Sequence, residues 1–279
     1  HAVPIELIVK GILTGLVYGL GALGLSVIYG VVRIVNFAHG EMMTAAMYIA
    51  VLLFAFAKVD PLVAILPVAL LAFVFGYALQ RTVINPFVTR PEHTQFMLLV
   101  AVAMILVNAQ LIIFGPDARN VMVDYQLESF ELGTLIVDKA RVYAAVTAVA
   151  VAAALFAFFR FSLTGKAIRA CADNQLGARV VGLDVDRLYA FTFGLGAACV
   201  GAAGCLMLLL VDVTPMQGPA YTLLAFIVVI VGGMGSITQA MARACREAGV
   251  DIILGAPVSE IIVERGRAAG AVAAGKQYR

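Results

Sequence analysis

Long apolar runs separated by short polar connections dominate the chain. Seven runs stand out, at roughly 7–30, 42–57, 61–80, 95–114, 142–159, 188–210 and 220–232. A helix that crosses a bilayer needs about 20 mostly apolar residues, so the second and seventh runs are short for a simple span. Transporters build broken helices near the membrane midplane from short or glycine-interrupted spans. The pattern therefore predicts an all-α polytopic membrane protein with about seven transmembrane helices, some of them short or broken.

The composition agrees with a membrane protein. Of the 279 residues, 63% are hydrophobic and 13% are charged, whereas soluble domains average about 45–50% apolar and about 25% charged residues. These values exclude a disordered chain, a nucleic-acid-binding protein and an ordinary soluble enzyme. The net charge of +2 is too small to indicate an anionic partner. The four cysteines have neither disulfide-framework nor zinc-site spacing, and we predict no metal and no cofactor.

The basic residues between the spans are unevenly placed, which predicts an orientation. Eight lie in one set of connections: Arg33, Arg81, Arg90, Arg160, Lys166, Arg169, Arg179 and Arg187. Five lie in the opposite set, which includes the N-terminus: Lys10, Lys58, Arg119, Lys139 and Arg141. Since cytoplasmic loops carry an excess of Lys and Arg, we expect the 81–94 and 160–187 loops in the cytoplasm. The N-terminus and the acidic 115–140 loop are then outside.

A stripe of glycines marks the first span. Gly11, Gly15 and Gly19 are spaced by four residues, which places them on one helical face. Small residues permit close backbone approach between membrane helices. We therefore expect this face to pack against another helix.

A polar break, Arg33 to Glu41, separates the first two spans. Ionisable groups at a membrane boundary indicate a functional site, although an ordinary solvated turn would have the same composition. His39 and Glu41 alone do not make a metal site.

The 160–187 loop contains a short apolar stripe. Leu176, Val180 and Leu183 fall at i, i+4 and i+7, which predicts a short helix over 173–182. Asp173 is the expected N-cap and Gly182 the expected C-terminal stop. Such a helix either lies on the membrane surface or docks into a partner's groove, and periodicity leaves both open.

Three ordered motifs resemble the permease subunits of branched-chain amino-acid ABC importers of the LivH type, over about residues 5–237. The first motif lies at the junction of spans one and two: Asn36, Phe37, His39, Gly40 and Glu41. The second matches the family's cytoplasmic coupling loop: Thr164, Gly165, Arg169, Asn174, Ala178 and Gly182. The third is the block 225–237.

The resemblance implies a non-enzymatic transport subunit in the bacterial inner membrane. Its expected partners are the lipid bilayer, a second permease subunit, ATP-binding subunits, a periplasmic substrate-binding protein and a branched-chain amino acid, with no nucleic acid. ATP hydrolysis would reside on the partner subunits, and the 173–182 helix would dock on one of them.

The sequence changes character near residue 237. Residues 236–279 hold ten charged residues in 44, and the family would instead continue with further apolar spans. We therefore predict a permease domain over 1–237, truncated at its C-terminal end, and a foreign α+β tail over 238–279. In the tail we expect a helix at about 238–248, short strands near 252–256 and 259–264, and a turn at 264–267.

The tail, taken from residue 232, resembles an internal piece of phytoene-desaturase-like FAD-dependent oxidoreductases. Both families can carry a Gly-Gly-Met-Gly string such as residues 232–235, so a joint there would make the chain a chimera. The N-terminal FAD-binding fingerprint of the flavoprotein is absent, so we expect the tail to bind no flavin. A genuine cytoplasmic extension of the permease is the other interpretation. The chain also begins at His1 without Met, and we expect it to be a fragment.

Two other function classes stay open at this point. The first is a secondary transporter or channel that works without ATPase partners, and the second is a flavin oxidoreductase, which only the tail suggests.

Overall fold

The computed structural model describes residues 2–132, 135–231, 258–264, 267–273 and 276–278. It divides into two units, residues 1–230 and 231–279, which are described separately.

The first unit is a bundle of helices. The helices are α1 (Ala2–Val32), α2 (His39–Ala57), α3 (Pro61–Leu79), α4 (Glu92–Phe114), α5 (Lys139–Phe161), α6 (Leu163–Asp173), α7 (Gln175–Val180), α8 (Val185–Leu208) and α9 (Pro215–Val231). Among the described residues, six of these are long and apolar enough to cross a membrane, namely α1, α2, α3, α4, α5 and α8. Helix α9 is apolar but shorter. The predicted polytopic all-α fold is confirmed, and α9 occupies the seventh predicted span.

Helix α8 forms the centre of the bundle. It is buried along most of its length, and α3, α1 and α2 pack against it. Helices α4 and α5 are peripheral, with outward-facing side chains such as Ile112 and Phe156. Because lipid tails are as apolar as Leu, packing and hydrogen bonds rather than hydrophobic burial must hold these helices together.

Glycines of α8 permit this close packing. A Cβ built on Gly196 would lie 2.8 Å from the carbonyl oxygen of Gly24 in α1, and one on Gly204 would lie 2.9 Å from the carbonyl oxygen of Met43 in α2. On the α3 side, a Cβ on Gly76 would lie 2.6 Å from Ala197 Cβ. At Gly196, Gly204 and Gly76 a side chain larger than a hydrogen atom does not fit.

The predicted glycine stripe of α1 does not take part. A Cβ built on Gly11, Gly15 or Gly19 would meet no described atom within 4 Å, so packing of this face against another helix stays a prediction. Gly24, five residues beyond Gly19, is the α1 glycine that approaches α8 closely. The 11–19 face is left for lipid or for another subunit.

Helix α3 has defined ends. Asp60 caps its start by accepting a hydrogen bond of 2.8 Å from the Leu62 N–H, with Pro61 at the first helical position. Beyond Leu79 the chain continues as a π-helical turn (Gln80–Ile84) and a 3-10 turn (Asn85–Phe87). Asn85 then donates to the backbone oxygen of Asp186, 3.2 Å away, which ties this irregular turn to the start of α8.

The connections cluster at two opposite ends of the bundle. At the first, which we call the Asp60 end, the Tyr125 hydroxyl donates to Asp60 (2.8 Å) and Arg119 pairs with Val213 in an antiparallel bridge. Burial, and then the Asp60 carboxylate, raises the pKa of the Tyr125 phenol. At the second, the Arg33 end, Arg33, Val88 and Asp173 line one cavity. This grouping matches the two sets of connections that the sequence predicts to lie on opposite sides.

The 115–138 connection at the Asp60 end has structure that its composition did not predict. Strands β1 (Ser129–Leu132) and β2 (Leu135–Asp138) form an antiparallel pair. Lys139, which follows the pair, forms an ion pair with Glu128.

The second unit contains a three-stranded antiparallel sheet in the order β3 (Val258–Glu264), β4 (Arg267–Ala273) and β5 (Lys276–Tyr278). Strand β3 coincides with the second predicted strand of the tail, and residues 265–266 of the predicted turn lie outside the described residues. Strands β4 and β5 were not expected. The predicted helix at 238–248 and the strand at 252–256 lie outside the described residues, so the foreign-tail boundary stays a prediction.

Substitution at the α1–α8 crossing should destabilise the bundle. In Gly24→Ala the new Cβ would lie 2.6 Å from the carbonyl oxygen of Gly196, and we expect a loss of about 1–3 kcal/mol from overpacking. The thermal unfolding midpoint in detergent measures this loss. Gly11→Ala on the same helix is the control and should leave the midpoint unchanged or raise it slightly, since Ala favours helix over Gly. An equal decrease in both variants would contradict the packing role of the crossing.

Candidate functional site

The connection between α1 and α2 turns back into the bundle. Arg33 has a left-handed φ of 59°, which reverses the chain after Val32. His39, at the start of α2, then lies with its Nε2 2.8 Å from the carbonyl oxygen of Gly21. Gly21 is about 16 Å back along α1 at a rise of 1.5 Å per residue, a distance that the segment 33–38 can cover in extended form. Helix α2 therefore begins inside the bundle and not at its end.

The re-entrant start of α2 carries a buried polar cluster: Asn36, His39, Glu41 and Thr44, together with Gln110 of α4 and Thr222 of α9. The Asn36 side chain accepts from the Ala38 N–H at 3.1 Å, which closes the turn before α2. The Glu41 carbonyl oxygen accepts from the Gln110 amide at 3.1 Å and from the Thr44 hydroxyl at 3.0 Å. Polar groups inside a membrane protein are costly unless paired, so this cluster is a specific feature of the fold.

Two helix N-termini meet at this cluster. The Thr222 hydroxyl in the first turns of α9 accepts a hydrogen bond of 2.8 Å from the Gly40 N–H in the first turn of α2. A Cβ on Gly40 would overlap the carbonyl oxygen of Gly218, at 1.7 Å, so only glycine permits this contact. The start of α2 carries the partial positive charge of a helix N-terminus, and the first turns of α9 lie against it. Short helices that meet inside a membrane are the arrangement with which transporters bind charged substrate groups.

The Glu41 carboxylate lies between these two N-termini. Its Oε2 is 3.4 Å from the Thr222 hydroxyl, and a Cβ on Gly218 would lie 3.0 Å from the Glu41 Cδ. Glu41 is the third residue of α2, where the helix dipole favours a negative charge. The geometry therefore accommodates a carboxylate at this depth in the bundle.

A groove of about 470 Å³ runs beside Glu41, between α4 and α9. Apart from Glu41, Asn108 and Thr222 its lining is apolar: Phe37, Val100, Ala103, Met104, Val107, Pro219, Leu223 and Phe226. Phe37 holds one end of it, with its ring 4.6 Å from that of Phe96 and 5.5 Å from that of Phe226. The groove thus combines an aliphatic and aromatic surface with one carboxylate.

Two acceptors of the cluster have no partner among the described residues, namely Nδ1 of His39 and Oε1 of Gln110. Because the His39 Nε2 faces a carbonyl oxygen, that nitrogen carries the proton and Nδ1 is the acceptor. Buried acceptors without partners are uncommon in folded proteins. The described residues contain no group of three His, Cys, Asp or Glu side chains that could hold a metal ion.

The second predicted site, the 160–187 loop, consists of two helices rather than one. Helix α6 is capped by Ser162, whose hydroxyl accepts from the Gly165 N–H at 2.9 Å. Helix α7 is capped by Asn174, whose side chain accepts from the Gly177 N–H at 2.8 Å. The prediction that Asp173 is the N-cap is therefore wrong, since Asp173 is the last residue of α6 and Asn174 provides the capping oxygen. Gly182 ends the segment with a φ of 86°, as predicted.

The exposed face of this loop differs from the predicted stripe. Leu176, Val180 and Val181 are 74%, 80% and 76% exposed, whereas Leu183 is half-buried. Among the motif residues, Thr164, Arg169, Asn174 and Gly182 are exposed, whereas Gly165 and Ala178 are buried. Ala178 thus faces the bundle, and the surface that α7 offers to a partner consists of Leu176, Val180 and Val181. We call these three residues the α7 face.

A cavity of about 390 Å³ at the Arg33 end lies between the 160–187 loop and the start of the re-entrant segment. One of its walls is the α6–α7 joint, with Asp173, Asn174 and Gln175, and another is Arg33 and Ile34 after α1. Tyr189 of α8 also lines it. The loop that offers the α7 face therefore lies against the first residues of the re-entrant segment.

Sequence motifs predicted the Asn36–Glu41 segment but missed its partners. Gln110 and Thr222 are polar residues within apolar runs. A polar side chain inside a membrane span indicates a functional position, and this was the one feature that could have pointed to them. The contact of Gly40 with Gly218, far apart in sequence, had no local signature.

Comparisons with known proteins agree on one family. Residues 7–245 match the family described as "Branched-chain amino acid transport system / permease component". The chain is 29% identical over 252 residues to the high-affinity branched-chain amino acid transport system permease protein LivH of Salmonella typhimurium and of Escherichia coli K12, covering 83% of this chain and 80% of each relative. It is 26% identical over 252 residues to BraD of Pseudomonas aeruginosa, covering 85% of this chain and 81% of the relative. No solved structure matches the chain.

Removal of the Thr222 hydroxyl should weaken the junction of α2 and α9. In Thr222→Val the buried Gly40 N–H loses its acceptor, and we expect a loss of about 1–3 kcal/mol of stability. Thr222→Ser keeps the hydroxyl and should retain most of that stability. The matched control is Thr147→Val, because the Thr147 hydroxyl bonds only to the Tyr143 carbonyl of its own exposed turn. Unfolding in detergent measures all three, and a Thr222→Val variant as stable as Thr147→Val would contradict the assignment.

Proposed function

The chain belongs to the family of permease components of branched-chain amino-acid transport systems, and from that premise we propose that it carries a branched-chain amino acid across the bacterial inner membrane as part of an ATP-driven importer. The observation that supports this best is the re-entrant junction, where the N-termini of α2 and α9 meet beside an apolar groove. An apolar amino acid needs a path of apolar and small residues with few polar groups for its charged ends, and the groove has this composition.

We propose that ATP-binding subunits act on the α7 face. Leu176, Val180 and Val181 are exposed apolar side chains on a short capped helix, and an exposed apolar helix face fits a hydrophobic groove of a partner. A membrane-surface role for α7 is the competing use. The cavity at the Arg33 end lies between this helix and the residues that lead to Glu41, which gives a movement of α7 a short route to the junction.

The remaining partners follow from the family. A second permease subunit would complete the substrate path, and a periplasmic binding protein would deliver the amino acid at the Asp60 end. Gly11 and Gly15 on α1 are exposed, a Cβ on either would meet no described atom within 4 Å, and both are available for a partner helix.

Uptake by the assembled importer tests the proposed function. The permease is co-expressed with the ATP-binding, second permease and binding-protein subunits proposed as its partners, and the purified complex is reconstituted in proteoliposomes. We expect uptake of radiolabelled leucine, isoleucine or valine that requires ATP and the binding protein. Uptake that persists without ATP would instead support a secondary transporter or channel.

Charges on the α7 face should uncouple the importer. Leu176→Glu and Val180→Glu place carboxylates in the proposed interface, and we expect at least a tenfold loss of both uptake and binding-protein-stimulated ATP hydrolysis. The ATP-binding subunit should also co-purify less. The control is Leu163→Glu, an 83% exposed leucine on the neighbouring α6, which should retain uptake. Normal uptake in both α7 variants would make this helix a surface feature.

Cysteine labelling tests the orientation. Leu127 at the Asp60 end and Gln175 at the Arg33 end are both exposed, and the three described native cysteines are buried. With Cys245 replaced by Ser, Leu127→Cys should react with a membrane-impermeant maleimide in intact cells, and Gln175→Cys should react only after lysis. The reverse pattern would overturn the predicted orientation.

A further inference from the structure

Glu41 is a buried carboxylate without a cation. It is 3% exposed, and within the described residues no Lys, Arg or His nitrogen lies within 4.0 Å of it. Its side chain lies beside the Thr222 hydroxyl and the start of α9. A charge buried at this depth is costly unless it is compensated, and the two helix N-termini compensate it only in part. A positive group that reaches Glu41 from outside would therefore bind favourably.

The groove beside Glu41 provides such access. Its 470 Å³ lie between α4 and α9, and Glu41 and Thr222 stand at one edge of it. Val100, Val107 and Leu223 provide aliphatic surface on the walls. A ligand that places an ammonium group on Glu41 would lay its remaining atoms along these walls. An aliphatic ammonium compound of the size of leucine fits both the charge and the surface.

On the basis of the proposed function, we propose that Glu41 binds the α-ammonium group of the transported amino acid, while the groove of Val100, Ala103, Val107 and Leu223 holds its branched side chain. Glu41 is then a substrate-binding residue, and the groove sets the size of side chain that passes. Thr222 holds the carboxylate in place through its hydroxyl and, through Gly40, also joins α2 to α9.

A capping role for Glu41 is the competing explanation, because the third residue of a helix often carries an acidic side chain. Glu41→Gln separates the two. Glutamine has the same shape, keeps a hydrogen bond to Thr222 and removes only the negative charge. A purely structural Glu41 predicts normal uptake in this variant once the complex has assembled.

The experiment uses the reconstituted importer with saturating binding protein. We expect Glu41→Gln to assemble and to hydrolyse ATP near the rate of the unmodified complex, while leucine uptake falls at least tenfold. Glu131→Gln, which changes an exposed carboxylate of β1, is the control and should leave uptake unchanged.

A second pair of variants tests the groove independently of Glu41. Ala103 lines the groove, whereas Ala101 on the same helix is exposed and does not. Ala103→Leu should fill the groove and reduce leucine uptake at least tenfold, with a smaller effect on the smaller valine. Ala101→Leu should transport both normally.

Three outcomes would overturn the proposal: normal leucine uptake in an assembled Glu41→Gln complex, normal uptake in Ala103→Leu, or equal impairment of Ala103→Leu and Ala101→Leu. If the Glu41→Gln complex fails to assemble, the comparison of Ala103→Leu with Ala101→Leu decides whether the groove binds the substrate. If the unmodified complex does not import leucine, isoleucine or valine, the proposed function itself is refuted. The unmodified complex is measured first, so this failure is distinguishable from failure of the Glu41 proposal.

Discussion

The hydrogen bond from the Gly40 N–H to the Thr222 hydroxyl is the contact on which the candidate site depends. A helix that begins inside a bilayer exposes backbone N–H groups where no water can bind them, and each unsatisfied group costs several kcal/mol. The first turns of α9 lie against the start of α2, so that a side chain of α9 satisfies a backbone group of α2. The contact requires glycine at position 40, because any Cβ there would overlap the Gly218 carbonyl.

Helix α8 makes this re-entrant geometry possible. Its glycines bring α1, α2 and α3 close enough for backbone atoms to face one another, and such packing replaces the hydrophobic force that is missing between helices in lipid. The contact of Gly204 with the Met43 carbonyl lies one turn beyond His39, so α8 supports α2 near its buried start. The interior position of Glu41 therefore results from small residues on a helix that lies far from it in sequence.

The sequence predicted the spans and the family motifs, because apolar periodicity and the Asn36–Glu41 and 164–182 segments are local patterns. It did not reveal that Gly24 lies at the crossing with α8, because spacing along α1 does not show which face of that helix meets α8. It also placed Leu183 in the apolar stripe of the short helix. The chain breaks at Asn174, α7 ends at Val180, and the face of α7 that meets the bundle carries Ala178. Gln110 and Thr222 joined the site only through the fold, since hydrogen bonds between distant spans leave no pattern in either span.

One cavity lies between the 160–187 loop and the start of the re-entrant segment. The α6–α7 joint and the residues Arg33 and Ile34 are walls of this cavity, and residues 33–38 form no regular helix. Phe37 in this segment is held between Phe96 of α4 and Phe226 of α9, which are the two helices that border the groove. A shift of Arg33 and Ile34 relative to the bundle must therefore either bend this segment or move Phe37 between its two aromatic neighbours. In the second case the groove beside Glu41 changes width, and the proposed action of a partner on the α7 face would reach the carboxylate by this route.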